Sequence, residues 1–494
     1  MSMFYVGYSQ TNINTPEQAF ESIFNASFRD HYAHNEPGVL SEYSMALLFG
    51  AAVNVQPIGA VIGTLVCGGV ANRIGLKFTL FVVSNVIVVI ATVLQAITGA
   101  IMSFEVFIVG RFIGGLANGF ICGLLSVFLT ECSPDHFRGA LGCLINIAGV
   151  TGIMFGSLFG LSEIFGTKTY LPYLMILPGF VAAAEISLYF VLPETPKRLF
   201  LAANDESKQL QSVLQVEDST EKAKASLKFY HGPEADIAAM FEKFNVEAKL
   251  DKDVMTLVQV LTGSELRKPL FLGVLVNIGC FTTGVQVIFN FSATALHQSG
   301  VNDTVIGYAV FAIQAVAIPA AIIAGLAVDK IGRRLLILGG LLGCTGCNVV
   351  LFILSFVSKS LLTSALTIAC MVVFMFTIMV GPLTICWFIG SELFPFASRP
   401  VGNAVCVGAN FAVGFLTSIV YLPLSEAISS YVLLTWIGPS VVIIVIIFLY
   451  LPETKNQDAA EIANSLNRNR KTYPAVESLN EAKHRDGRQS QTGL

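Results

Sequence analysis

Long apolar stretches separated by short polar turns fill most of the chain. A helix needs about 20 apolar residues to cross the hydrocarbon layer of a bilayer, and eleven stretches meet that length. They cover residues 45–70, 78–102, 106–130, 140–165, 170–192, 269–296, 305–328, 335–357, 361–390, 401–424 and 430–451. A polar, mixed-charge segment separates the first five from the last six. The pattern predicts an all-α polytopic membrane protein whose spans fall into two groups.

Three short motifs occur twice in the same order. The charged turn 325–334 matches 68–77, Glu131 and Arg138 match Glu392 and Arg399, and Pro193-Glu194-Thr195 matches Pro452-Glu453-Thr454. The copies begin 257, 261 and 259 residues apart. Charged turns recur in any membrane protein, but three motifs in one order at nearly one offset indicate that the second half duplicates the first.

The duplication implies six spans in each half, so one span is missing from the first half. Met1 to Tyr8 has the apolar character of the outer end of a first helix but is too short to cross the membrane. It also lacks the basic region and apolar core of a signal peptide. We therefore expect eleven full spans plus a first-helix remnant, at an incomplete or shortened start. The predicted domains are a helical bundle over 1–192, a cytoplasmic linker over 193–268, a second bundle over 269–451 and a cytoplasmic tail over 452–494.

The placement of basic residues predicts the orientation. Of the 29 Lys and Arg, the predicted outer loops hold only Arg29, Lys168 and Lys359, as expected if the basic loops are cytoplasmic. The polar loop 9–44 then lies outside, and its sequon makes Asn25 a glycosylation candidate.

Composition narrows the class of protein. Hydrophobic residues make up 54% of the chain and charged residues 13%, about half the charged fraction of a soluble domain. A basic stripe that would suit nucleic acid is absent from the sequence. A clustered set of nucleophile, base and metal ligands is absent as well. We therefore expect neither nucleic-acid binding, nor an enzyme, nor a cofactor.

Together these motifs resemble the sugar-porter branch of the major facilitator superfamily, the branch that holds the facilitative glucose transporters. The resemblance extends from about Gly7 to Ile462 and includes Gly110-Arg111-Phe112, Pro193-Glu194-Thr195-Pro196, Gly381-Pro382, Trp387 and Pro452-Glu453-Thr454-Lys455. It implies the major facilitator fold, in which two six-helix bundles rock around a central solute site and expose it to each side in turn. Leu76 departs from the family pattern, which usually has arginine there.

The resemblance gives a role to the charged residues on the inner side. A cytoplasmic latch would pair acids and bases across the halves while the inner side is closed. Its predicted members are Arg73, Glu131, Arg138, Asp329, Arg333, Arg334, Glu392 and Arg399. Alternatively, these residues only hold the loops inside. Acids at fixed spacing favour the latch, because basic residues alone would satisfy the charge rule.

The predicted solute site differs from that of glucose carriers. The family's glutamine pair in the seventh helix corresponds to Cys280 and Phe281, and its glutamate in the tenth helix to Met379. The candidate solute-binding residues are Asn146, Gln286, Asn290, Gln314, Trp387 and Asn410. Amides at membrane depth tend to face a bundle interior or a cavity, but they also join helices. We expect Gln286 and Asn410 to bind the solute, and for Asn290 and Gln314 both roles stay open.

Two ionisable residues, Arg111 and Glu185, lie deep within the predicted spans. Proton-coupled members of the branch carry an aspartate in the first helix, where this chain has Ser9. We therefore expect a uniporter of a monosaccharide (hexose) or a related polyol in the lipid bilayer of the plasma membrane. The alternatives are a carrier of another small polar or organic solute and a non-transporting nutrient sensor. A sensor would usually have a longer structured tail than this chain.

Overall fold

The computed structural model describes residues 1–32, 42–101, 103–133, 138–196, 198–200, 213–232, 237–238, 240–242, 257–394 and 398–455. These residues form helices and turns, with no strand among them. Ten segments in this part of the chain are long and apolar enough to cross a membrane, and an eleventh helix, Arg138–Phe159, has a shorter described apolar stretch. The all-α polytopic fold is confirmed. The predicted tail beyond residue 455 lies outside the described residues.

Five crossing helices form most of the first half. They follow α1 (Ser2–Thr11) and α2 (Glu17–Tyr32), and they are α3 (Glu42–Ile74), α4 (Leu76–Ile101), α5 (Phe104–Cys132), α6 (Arg138–Phe159) and α7 (Leu171–Val191). Helices α3 and α5 approach closely because glycines line their contact. A Cβ on Gly115 would stand 2.0 Å from the carbonyl oxygen of Gln56, so a larger side chain there would push the two helices apart.

The short helix α1 packs into this bundle against α6 and α7. The Tyr8 hydroxyl donates to the carbonyl oxygen of Leu174 at 2.8 Å, and the Thr11 hydroxyl donates to that of Ile153 at 2.8 Å. A Cβ on Gly152 of α6 would stand 2.1 Å from the Phe4 carbonyl oxygen. The ten-residue segment therefore lies where a first helix of the bundle would lie.

Residues 17–32 form a helix, where the sequence analysis expected only a polar loop. Phe20, Ile23 and Phe24 of α2 recur at helical spacing and are buried. Their rings and side chains pack against Phe49 of α3 and Phe107 of α5. The apolar stripe is short and lies among polar residues, so the average hydropathy of the segment does not reveal it. Burial of the stripe against the bundle stabilises the helix.

The linker contains short helices between the halves. Its described helices are α8 (Val213–His231) and α9 (Leu257–Thr262). Ile237, Met240 and Phe241 pack with Phe200 and Leu227 in one small core. The linker therefore contains a packed apolar cluster of its own.

Six crossing elements form the second half. They are built from α10 (Arg267–Thr282), α11 (Val285–Gln298), α12 (Asp303–Ala315), α13 (Ala317–Ile331), α14 (Arg333–Leu354), α15 (Leu361–Val380), α16 (Pro382–Leu393), α17 (Arg399–Ile428) and α18 (Leu434–Tyr450). Three of them are broken, at the joints α10–α11, α12–α13 and α15–α16. Gly284 breaks the first with a left-handed φ of 86°. Pro382 starts α16 after the third break. Broken helices of this kind line solute sites in transporters.

The two halves contact each other at membrane depth. Ala60 of α3 packs against Val407 and Phe411 of α17. Asn146 of α6 donates to the hydroxyl of Thr384 of α16 at 3.1 Å. These contacts enclose the cavity described next.

Candidate functional site

A cavity lies between the halves. Its lining residues are Gln10, Val53, Gln56, Pro57, Ala60, Arg111, Asn118, Phe281, Gln286, Asn290, Trp387, Phe411 and Gly414. The first seven belong to α1, α3 and α5, and the other six belong to α10, α11, α16 and α17. Because both halves supply the lining, a movement of one half against the other would change access to the cavity.

Three of the six predicted solute-binding residues line this cavity. Gln286 and Asn290 lie one turn apart on α11, and Trp387 lies on α16. The Asn290 amide donates to the Ser418 hydroxyl at 3.1 Å. The Trp387 ring packs on Phe411 with centroids 6.1 Å apart. An apolar wall with a few convergent polar groups is the usual composition of a small-molecule site.

The other three predicted residues join helices outside the cavity lining. The Asn410 amide donates to Asn277 at 3.2 Å and contacts the Cys386 sulfur at 3.5 Å. Gln314 donates to the carbonyl oxygen of Ile288 at 3.2 Å, and Asn146 bonds Thr384 across the halves. These bonds match the helix-joining role of membrane amides. Solute binding by Asn146, Gln314 and Asn410 stays a prediction.

Four polar residues of the first half also line the cavity, although none of them was predicted to bind the solute. They are Gln10, Gln56, Arg111 and Asn118. Gln56 and Asn118 both donate to the Ser9 hydroxyl, at 2.7 and 3.2 Å. Gln56 and Asn118 are amides within predicted spans, which is the same sequence feature that singled out Gln286. The family resemblance provided no ligand position for them, and only the tertiary structure brings them to the cavity.

Hydrogen bonds tie the halves together on the side that the placement of basic residues predicts to be outer. The Asn14 amide donates to the carbonyl oxygen of Phe289 at 2.9 Å and to the Ser292 hydroxyl at 2.7 Å. Its oxygen accepts the backbone N–H of Ala293 at 3.0 Å. The Thr294 hydroxyl donates to the Glu17 carboxyl at 2.5 Å. The first turn of α2 and the preceding residues therefore clasp α11, and we call these contacts the outer gate.

Burial raises the pKa of the Glu17 carboxyl to about 7. The hydrogen bond from Thr294 lowers it, and the charge of Glu21 raises it further. The carboxyl group of the neighbouring Glu21 interacts electrostatically with His297 of α11. The Glu17 carboxyl group interacts electrostatically with Tyr421 of α17. The outer gate therefore contains a carboxyl group that titrates near neutral pH.

At the opposite end, which is predicted to be the inner side, the latch residues Arg333 and Glu392 form an ion pair within the second half. The Arg333 guanidinium lies 3.1 Å from the Glu392 carboxylate. Glu392 also accepts from the Thr454 hydroxyl, and Glu453 accepts the backbone N–H groups of Arg333 and Arg334 at 2.8 and 3.1 Å. Burial raises the pKa of Glu392 despite the opposing effects of Thr454 and Arg333. The duplicated motif thus binds the start of α14, the end of α16 and the segment after α18 together.

The described contacts of the other latch residues do not extend across the halves. The Arg334 guanidinium donates to the carbonyl oxygen of Phe448, also in the second half, and Arg73 is exposed at the end of α3. The side chains of Glu131, Arg138, Asp329 and Arg399 lie outside the described residues. Pairing across the halves stays a prediction for a state in which the inner side is closed.

Glu185 is buried within the bundle, and Asn25 is more enclosed than the sequence indicated. The Glu185 carboxyl is 5% exposed and accepts from the Ser2 hydroxyl of α1, away from the cavity lining. Asn25 is half-buried on α2, and Ser27 of the same sequon is fully buried and accepts the backbone N–H of Phe104 at 3.1 Å. Glycosylation of Asn25 stays a prediction, and it would have to precede the packing of α2.

Comparisons with known proteins agree with this architecture. The family model described as "Sugar (and other) transporter" matches residues 1–466. "Solute carrier family 2, facilitated glucose transporter member 4" of Mus musculus is 28% identical over 465 residues, which cover 94% of this chain and 88% of the relative. "Solute carrier family 2, facilitated glucose transporter member 1" of Gallus gallus is 28% identical over 463 residues, covering 92% and 89%.

Solved structures of similar fold include a "partially occluded inward open conformation of the xylose transporter XylE from E. coli". It has a TM-score of 0.72 at 18% identity and covers 92% of this chain and 97% of that chain. The inward-open conformation of the same protein has a TM-score of 0.71 at 19% identity, covering 93% and 96%. At such identities the likeness shows the fold.

Proposed function

Because this chain belongs to the sugar (and other) transporter family, we propose that it carries a monosaccharide, or a related polyol, down its gradient across the plasma membrane. The relatives that match nearly the whole chain are facilitated glucose transporters. This relationship favours transport over a sensor role and over carriage of an unrelated solute. The first and second halves would alternate between states open to the outside and to the inside.

The observation that carries the proposal is the cavity between the halves. Gln286 and Asn290 supply amide donors and acceptors, and Phe281, Trp387 and Phe411 supply an aromatic wall. Amides match the hydroxyls of a sugar, and aromatic faces match the C–H surface of its ring. The outer gate is formed in this structure, so the solute would leave or enter the cavity from the inner side in this state.

The cavity favours a solute with fewer hydroxyls than glucose or with one apolar face. Phe281 stands on the lining where a glutamine is expected of glucose carriers, and Met379 is buried in place of a glutamate. Each hydrogen bond lost in this way is worth about 0.5–1.5 kcal/mol, so several together weaken binding by orders of magnitude. Glucose should therefore bind less tightly here than to carriers with the full polar set.

The transport should be uncoupled from protons. Ser9 stands where an acid is expected of proton-coupled carriers, and the membrane-depth acid Glu185 is buried against α1, outside the described cavity lining. A protonation step needs a carboxyl group whose environment differs between the two access states. Glu185 does not touch the solute cavity, so its packing role is the simpler interpretation.

Uptake of labelled hexoses, pentoses and polyols into carrier-deficient cells tests the proposal. We expect saturable uptake of at least one solute, which a protonophore leaves within about twofold, since a proton gradient supplies no driving force to a uniporter. Glu185→Gln should behave like the wild type. Protonophore-sensitive uptake that Glu185→Gln abolishes would contradict the uniport proposal. Absence of uptake for the whole panel, with normal surface abundance, would contradict sugar transport.

A further inference from the structure

Ser9 is the centre of a polar cluster in the first half. Its hydroxyl accepts from Gln56 at 2.7 Å and from Asn118 at 3.2 Å, and donates to the carbonyl oxygen of Val6 at 3.1 Å. Its own carbonyl oxygen accepts from the Arg111 guanidinium at 2.6 Å. We call Ser9, Gln56, Arg111 and Asn118 the Ser9 cluster. A hydroxyl has one donor and two acceptor sites, so the Ser9 hydroxyl is fully used in holding the neighbouring amides.

The cluster leaves two hydrogen-bonding atoms unused. Asn118 Oδ1 and Arg111 Nε are buried and have no partner in the part of the chain that the structure describes. Both side chains line the cavity, and they are 3% and 2% exposed. Buried polar groups are normally hydrogen-bonded, and each exception calls for an explanation. Here one group is an acceptor and the other a donor, on the same helix.

We propose that Asn118 and Arg111 form a first-half subsite that binds hydroxyl groups of the solute and sets its orientation in the cavity. The inference rests on the proposed function and deepens it. A hydroxyl both donates and accepts, so it matches an amide oxygen and a guanidinium N–H in one place. A carboxylate would meet the amide oxygen unfavourably, and an ammonium would meet the guanidinium unfavourably. The subsite therefore selects neutral, hydroxylated solutes.

The rest of the cavity supports this orientation. The aromatic wall of Phe281, Trp387 and Phe411 comes from the second half, opposite the Ser9 cluster of the first half. A sugar ring has hydroxyl-bearing edges and an apolar C–H surface. Its hydroxyl groups can therefore face the Ser9 cluster while its C–H surface faces the aromatic wall. In this chain much of the recognition of hydroxyls thus falls to the first half, where the second half has lost polar groups.

Geometry also separates this subsite from a purely structural cluster. Gln95 is a comparable buried amide that bonds the Gly110 carbonyl oxygen of α5 at 3.2 Å but does not line the cavity. The Ser9 hydroxyl fixes Asn118 through its nitrogen only, so the Asn118 oxygen remains available to a ligand. Gln95 is therefore a matched control, a helix-joining amide that joins α4 to α5.

Uptake of glucose and its singly deoxygenated analogues by the wild type, Asn118→Ala, Gln56→Leu and Gln95→Ala tests the subsite. We expect Asn118→Ala to raise KM about tenfold for sugars that retain the bound hydroxyl, the effect of one lost hydrogen bond. For the analogue that lacks this hydroxyl, the wild type should already be impaired and Asn118→Ala should add less than about twofold. Gln56→Leu, which frees the Ser9 hydroxyl, should show the same selective pattern more weakly.

Gln95→Ala should change uptake of all analogues by one common factor. If Asn118→Ala and Gln56→Leu also change uptake of all analogues by one factor, at normal surface abundance, the subsite proposal is overturned while sugar transport stays intact. If Asn118→Ala is not delivered to the surface, the pattern for Gln56→Leu decides alone. A wild type that takes up no sugar of the panel overturns both the subsite and the proposed function.

Discussion

At the scale of single residues, amides of one chemical type have different surroundings. Gln286 lines the cavity, whereas Asn410 is fully buried and bonded to Asn277 and Cys386. Both were expected to bind the solute, because both occupy ligand positions implied by the family resemblance. The position along a helix specifies which face a residue lies on, but the neighbouring helices decide whether that face meets a cavity or another helix.

Alanine at these two positions should therefore have different effects. We expect Gln286→Ala to raise KM about threefold to tenfold with normal surface abundance, because a solute hydrogen bond is lost. Asn410→Ala should lower the free energy of unfolding by about 1–3 kcal/mol, because the buried side-chain oxygen of Asn277 loses its donor. Kinetics of uptake and thermal unfolding in detergent separate the two. Gln298→Ala, an exposed amide at the outer end of α11, is the control, and a raised KM for that variant would contradict the assignment.

At the scale of elements, α2 and α11 form the outer gate, which contains the half-buried carboxyl group of Glu17. The contact depends on Asn14, which lies after the end of α1, and on Glu17, which is the first residue of α2. The gate joins the first half to the broken first span of the second half, α10–α11. A charged Glu17 in this buried position would oppose closure, whereas a protonated Glu17 is tolerated.

The closed gate should therefore weaken as pH rises. Because the pKa of Glu17 is raised to about 7 in the closed gate, closure favours the protonated form. This contribution is fully present below the ordinary pKa of the carboxyl group and is lost as pH rises through about 7, with a slope of at most roughly tenfold per pH unit. Distances between spin labels at Gln18→Cys and Gln298→Cys, both exposed positions, would report gate opening.

We expect a larger open fraction at pH 8 than at pH 6, and Glu17→Gln should remove this difference. Glu21→Gln is the matched control, because Glu21 lies on the same helix and its pKa is also raised, whereas the Thr294 hydroxyl donates to Glu17. A pH dependence that persists in Glu17→Gln would assign the titration to Glu21 or His297 instead.

At the scale of the whole molecule, the described ion pair and the proposed latch belong to different states. Arg333 and Glu392 pair within the second half while the outer gate is formed. Pairs across the halves on the inner side would compete with that arrangement when the inner side closes. The relative free energies of the two states then decide which face is open.

Glu392→Ala should slow transport several-fold and shift the balance of the two states, because Glu392 has a different partner in each of them and its removal changes their free energies unequally. It should also cost about 1–3 kcal/mol of stability, since Arg333 loses a charged hydrogen-bond partner. Initial uptake rates normalised to surface abundance provide the measurement. The double charge exchange Arg333→Glu with Glu392→Arg should recover the stability. If Glu392→Ala is retained and degraded while the exchange variant transports normally, the pair is structural only.

The sequence by itself determined the spans and the family, and it predicted the orientation and the duplication. These properties depend on local hydropathy, on the side to which basic residues are assigned and on motif order, all of which are readable along the chain. It also predicted Gln286, Asn290 and Trp387 as solute-binding residues, and these three line the cavity. Tertiary structure decided the rest: the packing of α2, the separation of Asn410 from the cavity, and the contribution of the Ser9 cluster to its lining. These features depend on which helix faces meet, and that requires contacts between residues far apart in sequence, such as Ser9 with Gln56 and Asn118.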